Sequence, residues 1–210
     1  MENKTSHAED LKAIRKMMES SSRFLSLSGL SGVFAGLFAI AGGGYAWYFL
    51  LAKKASLSAG YLLELSAESN KNIGLNLLII AIVILLLAIS VAYYFSYRKS
   101  KRAGNKLWNP VTRRMFINLL IPLVSGAVFI IALSESGTTQ FIAPAMLIFY
   151  GLALVSAGKY TFGEVHYLGL LQIITGLAAS FFPGHGLLFW VTGFGFLHIL
   201  YGLIMYRKYE

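Results

Sequence analysis

The chain has 210 residues, 57% of them hydrophobic and only 13% charged, with a mean hydropathy of +0.66. A soluble domain carries about 25% charged residues, so this chain lacks the polar surface to cover a globule in water, and lipid must be part of its solvent. The net charge of +9 does not indicate a nucleic-acid binder, because fifteen of the eighteen Lys and Arg precede residue 115 and nearly all flank apolar stretches, while the absence of cysteine excludes disulfides, thiolate catalysis and Cys-ligated metal.

Residues 1–23 are polar, with five basic and four acidic side chains. Ser6 followed by Glu9 fits a capping box, and Leu11, Ile14, Met18 and Ser21 recur at helical spacing. The pattern predicts an amphipathic helix, either lying at the membrane interface or docking a cytoplasmic protein partner.

Six apolar stretches follow, at about 24–50, 73–97, 115–133, 140–158, 165–182 and 188–206. About 20 residues cross the hydrocarbon core, so the expected fold is an all-α polytopic bundle of six transmembrane helices, arranged as three antiparallel hairpins in a single domain over 24–210. Ala39-Ile40-Ala41 resembles a signal cleavage site, but the long acid-containing segment before it and the continued apolar run after it argue for an uncleaved first span. Three consecutive glycines, Gly42 to Gly44, weaken that span near its outer third, where a kink or an unwound segment lining a site is expected. Between spans one and two, Tyr61, Leu62, Leu63 and Leu65 are expected on the outer membrane surface. Pro122 and Pro144 interrupt spans three and four and read as packing features.

The interval from Arg98 to Arg114 sets the orientation. It holds Arg98, Lys99, Lys101, Arg102, Lys106, Arg113 and Arg114 and no acid. With this interval in the cytoplasm, fifteen basic residues fall on that side and three on the other. The positive-inside rule then puts both termini in the cytoplasm. The same seven residues are candidates for contact with anionic lipid headgroups. Trp47, Trp108 and Trp190 fall near membrane boundaries, as interfacial anchors do.

Parts of the chain repeat. Tyr150-Gly151-Leu152 matches Tyr201-Gly202-Leu203, and Leu119-Leu120 matches Leu170-Leu171, both at a 51-residue step. Small-residue pairs at Ser31-Gly32, Ser125-Gly126 and Thr175-Gly176 suggest that one hairpin recurs two or three times. Small-xxx-small ladders, such as Ser28, Gly32 and Gly36, predict close helix crossings, and a homo-oligomer is a further use for them.

No charged residue lies at a span centre, which disfavours an ion-coupled pump. The notable polar pair is Gln172 and His198. A hairpin turning at His185 puts them at equal depth near mid-membrane, where each requires a partner. They form either a structural clasp or a polar site for a proton, ion or small ligand, to which Thr175 and Tyr201 contribute. His166 and His185 lie at other depths, so no common metal site or haem-ligand pair is expected, and no cofactor is implied. No zinc-protease, nucleophile-elbow, Walker or dinucleotide motif is present, and no catalytic residue is assigned.

Two stretches, DLKAIRKMMESSSRFLSLSGLSGVFAG and HYLGLLQIITGLAASFFPGHGLLFWVTGFGFLHILYGLIMYRKYE, resemble a family of bacterial six-span inner-membrane proteins with no assigned activity. The resemblance covers most of the chain and carries over no catalytic residue. Such proteins accompany small winged-helix regulators, which implies a signalling or regulatory role. The expected function is therefore a non-enzymatic interaction or sensory/regulatory component of the bacterial inner membrane, with no nucleic-acid partner. A small transporter or channel with a polar site at Gln172 and His198 is the alternative.

Overall fold

The computed structural model describes residues 24–58, 66–104 and 108–209. The predicted amphipathic segment 1–23, the 59–65 connector and Lys106 lie outside the described residues. Within them the protein is all α, with no strand. Six helices follow one another: α1 (Gly29–Ser58), α2 (Ser66–Arg102), α3 (Pro110–Glu135), α4 (Ile142–Gly158), α5 (Gly163–Ser180) and α6 (Gly186–Tyr209). A 3-10 turn, Thr139–Phe141, leads into α4, and α6 contains a π-helical stretch, Val191–Leu197.

Five of the six are long and apolar enough to cross a membrane; α5 is not among them. It forms where a fifth span is expected, but its 18 residues include Glu164, His166, Gln172 and Thr175. Helix α2 has 37 residues, about 55 Å at 1.5 Å per residue. Its last turns therefore carry Arg98, Lys99, Lys101 and Arg102 as helix, where a loop is expected. Helix α3 starts as its sequence dictates. Asn109 caps it by accepting from the Thr112 amide at 2.8 Å, and Pro110 occupies the first turn, where an N–H donor has no intrahelical acceptor and its absence costs nothing. Pro144 lies in the first turn of α4, just after the 3-10 turn, so its missing N–H is cheap there. Pro122, by contrast, is inside α3.

No helical turn is lost at Gly42-Gly43-Gly44, so the unwound segment does not form. Two of these glycines are instead points of contact. Gly42 faces Ile80 and Ile84 of α2, and Gly43 faces Val191 of α6.

The tightest crossings are α5 on α4 and α1 on α6, and both rest on glycine. A Cβ on Gly169 would fall 2.8 Å from the Gly151 carbonyl and 2.8 Å from the Val155 amide. One on Gly29 would meet the Gly202 carbonyl at 2.5 Å and the Tyr206 amide. Gly176 likewise faces the Ile148 amide, and Gly36 the Ile199 amide. Helix backbones approach this closely only where no side chain intervenes. The last helix thus closes back on the first. Helices α2 and α3 lie on the outside, with none and 6% of their apolar windows buried.

One end is tied together by the extended stretch before α1. The Phe24 amide donates to the Tyr160 carbonyl (2.7 Å), and the Thr161 hydroxyl donates to the Phe24 carbonyl (2.8 Å). Lys99 of α2 donates to the Leu27 carbonyl (3.0 Å) and lies 5.7 Å from the centre of the Phe162 ring. Phe24, Met115 and Ala157 form a packed cluster beside it.

Candidate functional site

The site is built where α4, α5 and the π-helical stretch of α6 meet. Gln172 on α5 is fully buried and His198, the first residue after the π stretch, is 7% exposed. The Gly193 carbonyl accepts from Gln172 Nε2 at 2.8 Å and lies 3.0 Å from His198 Nδ1. A carbonyl can only accept, so the imidazole proton sits on Nδ1. Nε2 is then an acceptor, and the Tyr150 hydroxyl donates to it at 2.8 Å. Gln172 Nε2 and His198 Nδ1 are 3.4 Å apart because two donors converge on one oxygen.

Local sequence explains the arrangement. A Cβ on Gly193 would strike Leu147 and fall 2.6 Å from Gln172 Oε1, so only glycine lets the amide lie over this turn. π-Helical turns inside α-helices widen the helix and are frequent at functional sites. Here the wide turn contains the carbonyl on which both side chains converge. Phe194 packs 5.0 Å from the Tyr150 ring and 6.0 Å from the His198 ring, closing the cluster with aromatic surface.

Among the described residues, two buried side-chain polar atoms have no protein hydrogen-bond partner, Gln172 Oε1 and the Tyr201 hydroxyl. The amide nitrogen must face the Gly193 carbonyl, since a swapped group would set Oε1 against that oxygen. Tyr201 lies about one turn along α6 from His198. It is 9% exposed and packs with Leu154, Phe162, Val165, Leu168 and Met205.

Of the four residues expected here, Gln172 and His198 come together. Tyr201 is buried nearby, its hydroxyl without a partner among the described residues. Thr175 contributes no hydrogen bond to the clasp, because its hydroxyl donates to Leu171 of its own helix (2.7 Å). Tyr150 and Gly193 belong to the site but are not among the site residues expected from the sequence. The repeated Tyr-Gly-Leu was the available signal, as it makes Tyr150 the counterpart of Tyr201.

Among the basic residues, Arg98, Lys101, Arg102, Arg113 and Arg114 are exposed. Lys99 instead turns inward to Leu27. At the same end, Lys208 donates to Glu164 at 2.6 Å, and the Tyr209 hydroxyl lies 3.0 and 3.2 Å from the two carboxylate oxygens. Partial burial raises the pKa of Glu164, but the hydrogen bonds from Lys208, the backbone and Tyr209, with the charge of Lys208, bring it below the ordinary carboxylate value.

His166 packs against Gly158, and His185 is exposed at the start of α6. Among the described residues no three His, Asp or Glu come together. Comparison with protein families, curated proteins and solved structures finds no match to this chain.

Proposed function

We propose that this protein is a non-enzymatic, six-span protein of the bacterial inner membrane that acts as an interaction or sensory/regulatory component. The observation that carries this reading is the closure of the clasp. Both ring nitrogens of His198 are engaged by neutral groups of other turns and helices, and Gln172 is fully buried. Polar side chains deep in the bundle serve to join α4, α5 and α6, which suits a rigid membrane body whose working surface is cytoplasmic.

Helix α5 is the sixth span in this reading. Its 18 residues make about 27 Å, close to the ~30 Å hydrocarbon core, and its Gln172 is covered by α6. Both termini and the basic helix ends face the cytoplasm by the positive-inside rule. There Arg98, Lys101, Arg102, Arg113 and Arg114 meet anionic headgroups at about 1 kcal/mol per residue, and residues 1–23 take a protein partner. The hairpin repeat is supported by the shared register of the two glycine crossings. Ile148, Gly151 and Val155 of α4 meet α5 as Ile199, Gly202 and Tyr206 of α6 meet α1. In this register Gly176 corresponds to Gly36, one turn on from the Gly32 that the small-residue pairs align with it.

The test is co-purification after cross-linking in native membranes, with and without residues 1–22. A partner lost on truncation is the expected result. An unchanged set of captured proteins refutes docking through that segment.

A second reading, a small transporter or channel, draws on the unpartnered Gln172 Oε1. It predicts flux through proteoliposomes that His198→Leu abolishes. Vesicles as tight to protons and small cations as protein-free ones count against it.

A further inference from the structure

We infer that the Tyr201 hydroxyl holds a buried water molecule that links it to the Tyr150–His198 pair. This goes beyond the proposed role and stands whichever function the bundle serves.

Tyr201 is 9% exposed and its hydroxyl has no partner among the described residues, although a tyrosine hydroxyl both donates and accepts. Buried polar groups in native proteins are paired with protein or with water, and the bilayer supplies no alternative. Tyrosines flank Tyr201. Tyr150 and Tyr209 both pack against the cluster that contains it.

The flanking hydroxyls have complementary capacity left. Tyr150 commits its proton to His198 Nε2, and Tyr209 commits its proton to Glu164. Each retains an oxygen that can accept. Tyr201 has a proton to donate and no acceptor. A single water accepts from Tyr201 and donates to Tyr150 and to one further oxygen. That is the roughly three-bond environment typical of buried water.

The consequence is a short polar chain of Tyr201, its water, Tyr150 and His198 that ends on the Gly193 carbonyl. Tyr150 finds a histidine, whereas Tyr201, its counterpart in the Tyr-Gly-Leu repeat, finds none.

Thermal unfolding of the full chain in lipid nanodiscs tests the inference through Tyr201→Phe and the Y150F/Y201F double variant. With a bound water, Tyr201→Phe removes a hydrogen-bond partner and lowers the midpoint by several degrees, and the shifts of Y150F and Y201F are non-additive. A midpoint that stays or rises on Tyr201→Phe overturns the inference, because an orphaned hydroxyl is better removed. Additive shifts overturn the shared water. If the variants do not fold, water-edited solid-state NMR of the wild-type protein, labelled at tyrosine Cζ, reads the same point. Rapid transfer from water to the Tyr201 signal is expected, and absence of transfer while Tyr209 shows it overturns the inference.

Discussion

The Tyr150 hydroxyl lies 2.8 Å from Nε2 of His198, so a residue of α4 partners the ring nitrogen that the Gly193 carbonyl leaves unprotonated. Replacing Tyr150 by phenylalanine strands Nε2 as a buried acceptor. That costs about 1–3 kcal/mol. Unfolding monitored by circular dichroism in nanodiscs should show the Tyr150→Phe protein melting lower, with its helix content before the transition unchanged.

Gln172→Leu should be far milder than His198→Leu. Leucine loses one bond to the Gly193 carbonyl, but it also removes the unpartnered Oε1, and His198 still donates to that carbonyl. The net change should fall within about 1 kcal/mol. His198→Leu strands the Tyr150 hydroxyl and withdraws a donor from Gly193, so it should cost at least twice as much. Equal losses from the two variants would show that Gln172 carries more than the clasp geometry assigns it.

The glycine crossings make a steric prediction. At Gly36 an added Cβ falls 2.5 Å from the Gly195 carbonyl, whereas at Gly44 nothing lies within 4 Å. Gly36→Ala should therefore cost about 1–3 kcal/mol through overpacking of α1 on α6. Gly44→Ala should be neutral or stabilising by up to about 1 kcal/mol, because alanine favours the helix more than glycine does. Thermal midpoints of the two variants in one nanodisc preparation check this.

Glu164 and Lys208 give a pH dependence with a definite sign. The folded carboxyl titrates below its unfolded value, held down by Lys208, the backbone and Tyr209 against the opposing effect of burial. The stabilisation is complete above the unfolded carboxylate pKa, about 4.3. It is lost as pH falls through the lower folded value. Lys208 is largely exposed, so the effect is modest. Glu164→Gln should flatten the acid limb of the stability curve measured between pH 3 and 6, and should leave the curve at pH 7 nearly parallel to that of the wild type.

Topology can be read directly because the chain contains no cysteine. Single substitutions Arg102→Cys and Lys159→Cys should react with a membrane-impermeant maleimide only in inverted vesicles. Glu135→Cys and His185→Cys should react only in right-side-out spheroplasts. Labelling of Lys159→Cys and His185→Cys from the same side would remove α5 as a membrane-spanning helix.

The positions of the helices were legible from residue type because a helix in lipid must satisfy its backbone within its own segment. Apolar run length is then nearly sufficient to find it, and all six expected segments are helical. Gln172 and His198 were legible for a related reason. They are the polar exceptions in apolar helices, and hairpin counting puts them at one depth. Tyr150 was not, since an aromatic residue in an apolar helix reads as packing until its partner, 48 positions away, is known. Thr175 lies one turn from Gln172, but its hydroxyl bonds back to its own helix. Lys99 belongs to a basic run, yet its long side chain reaches inward to a carbonyl left open by the extended stretch before α1.

By itself the sequence determined the all-α class, the segments that form helices and the run of basic charge from Arg98 to Arg114. These depend on composition and local periodicity. Tertiary structure alone decided which helices touch, that α1 closes on α6 across Gly29, Gly36 and Gly202, and that the π-helical stretch presents Gly193 to Gln172 and His198. Those outcomes depend on where side chains are missing and where hydrogen bonds find partners across helices, and neither is a property of any one segment.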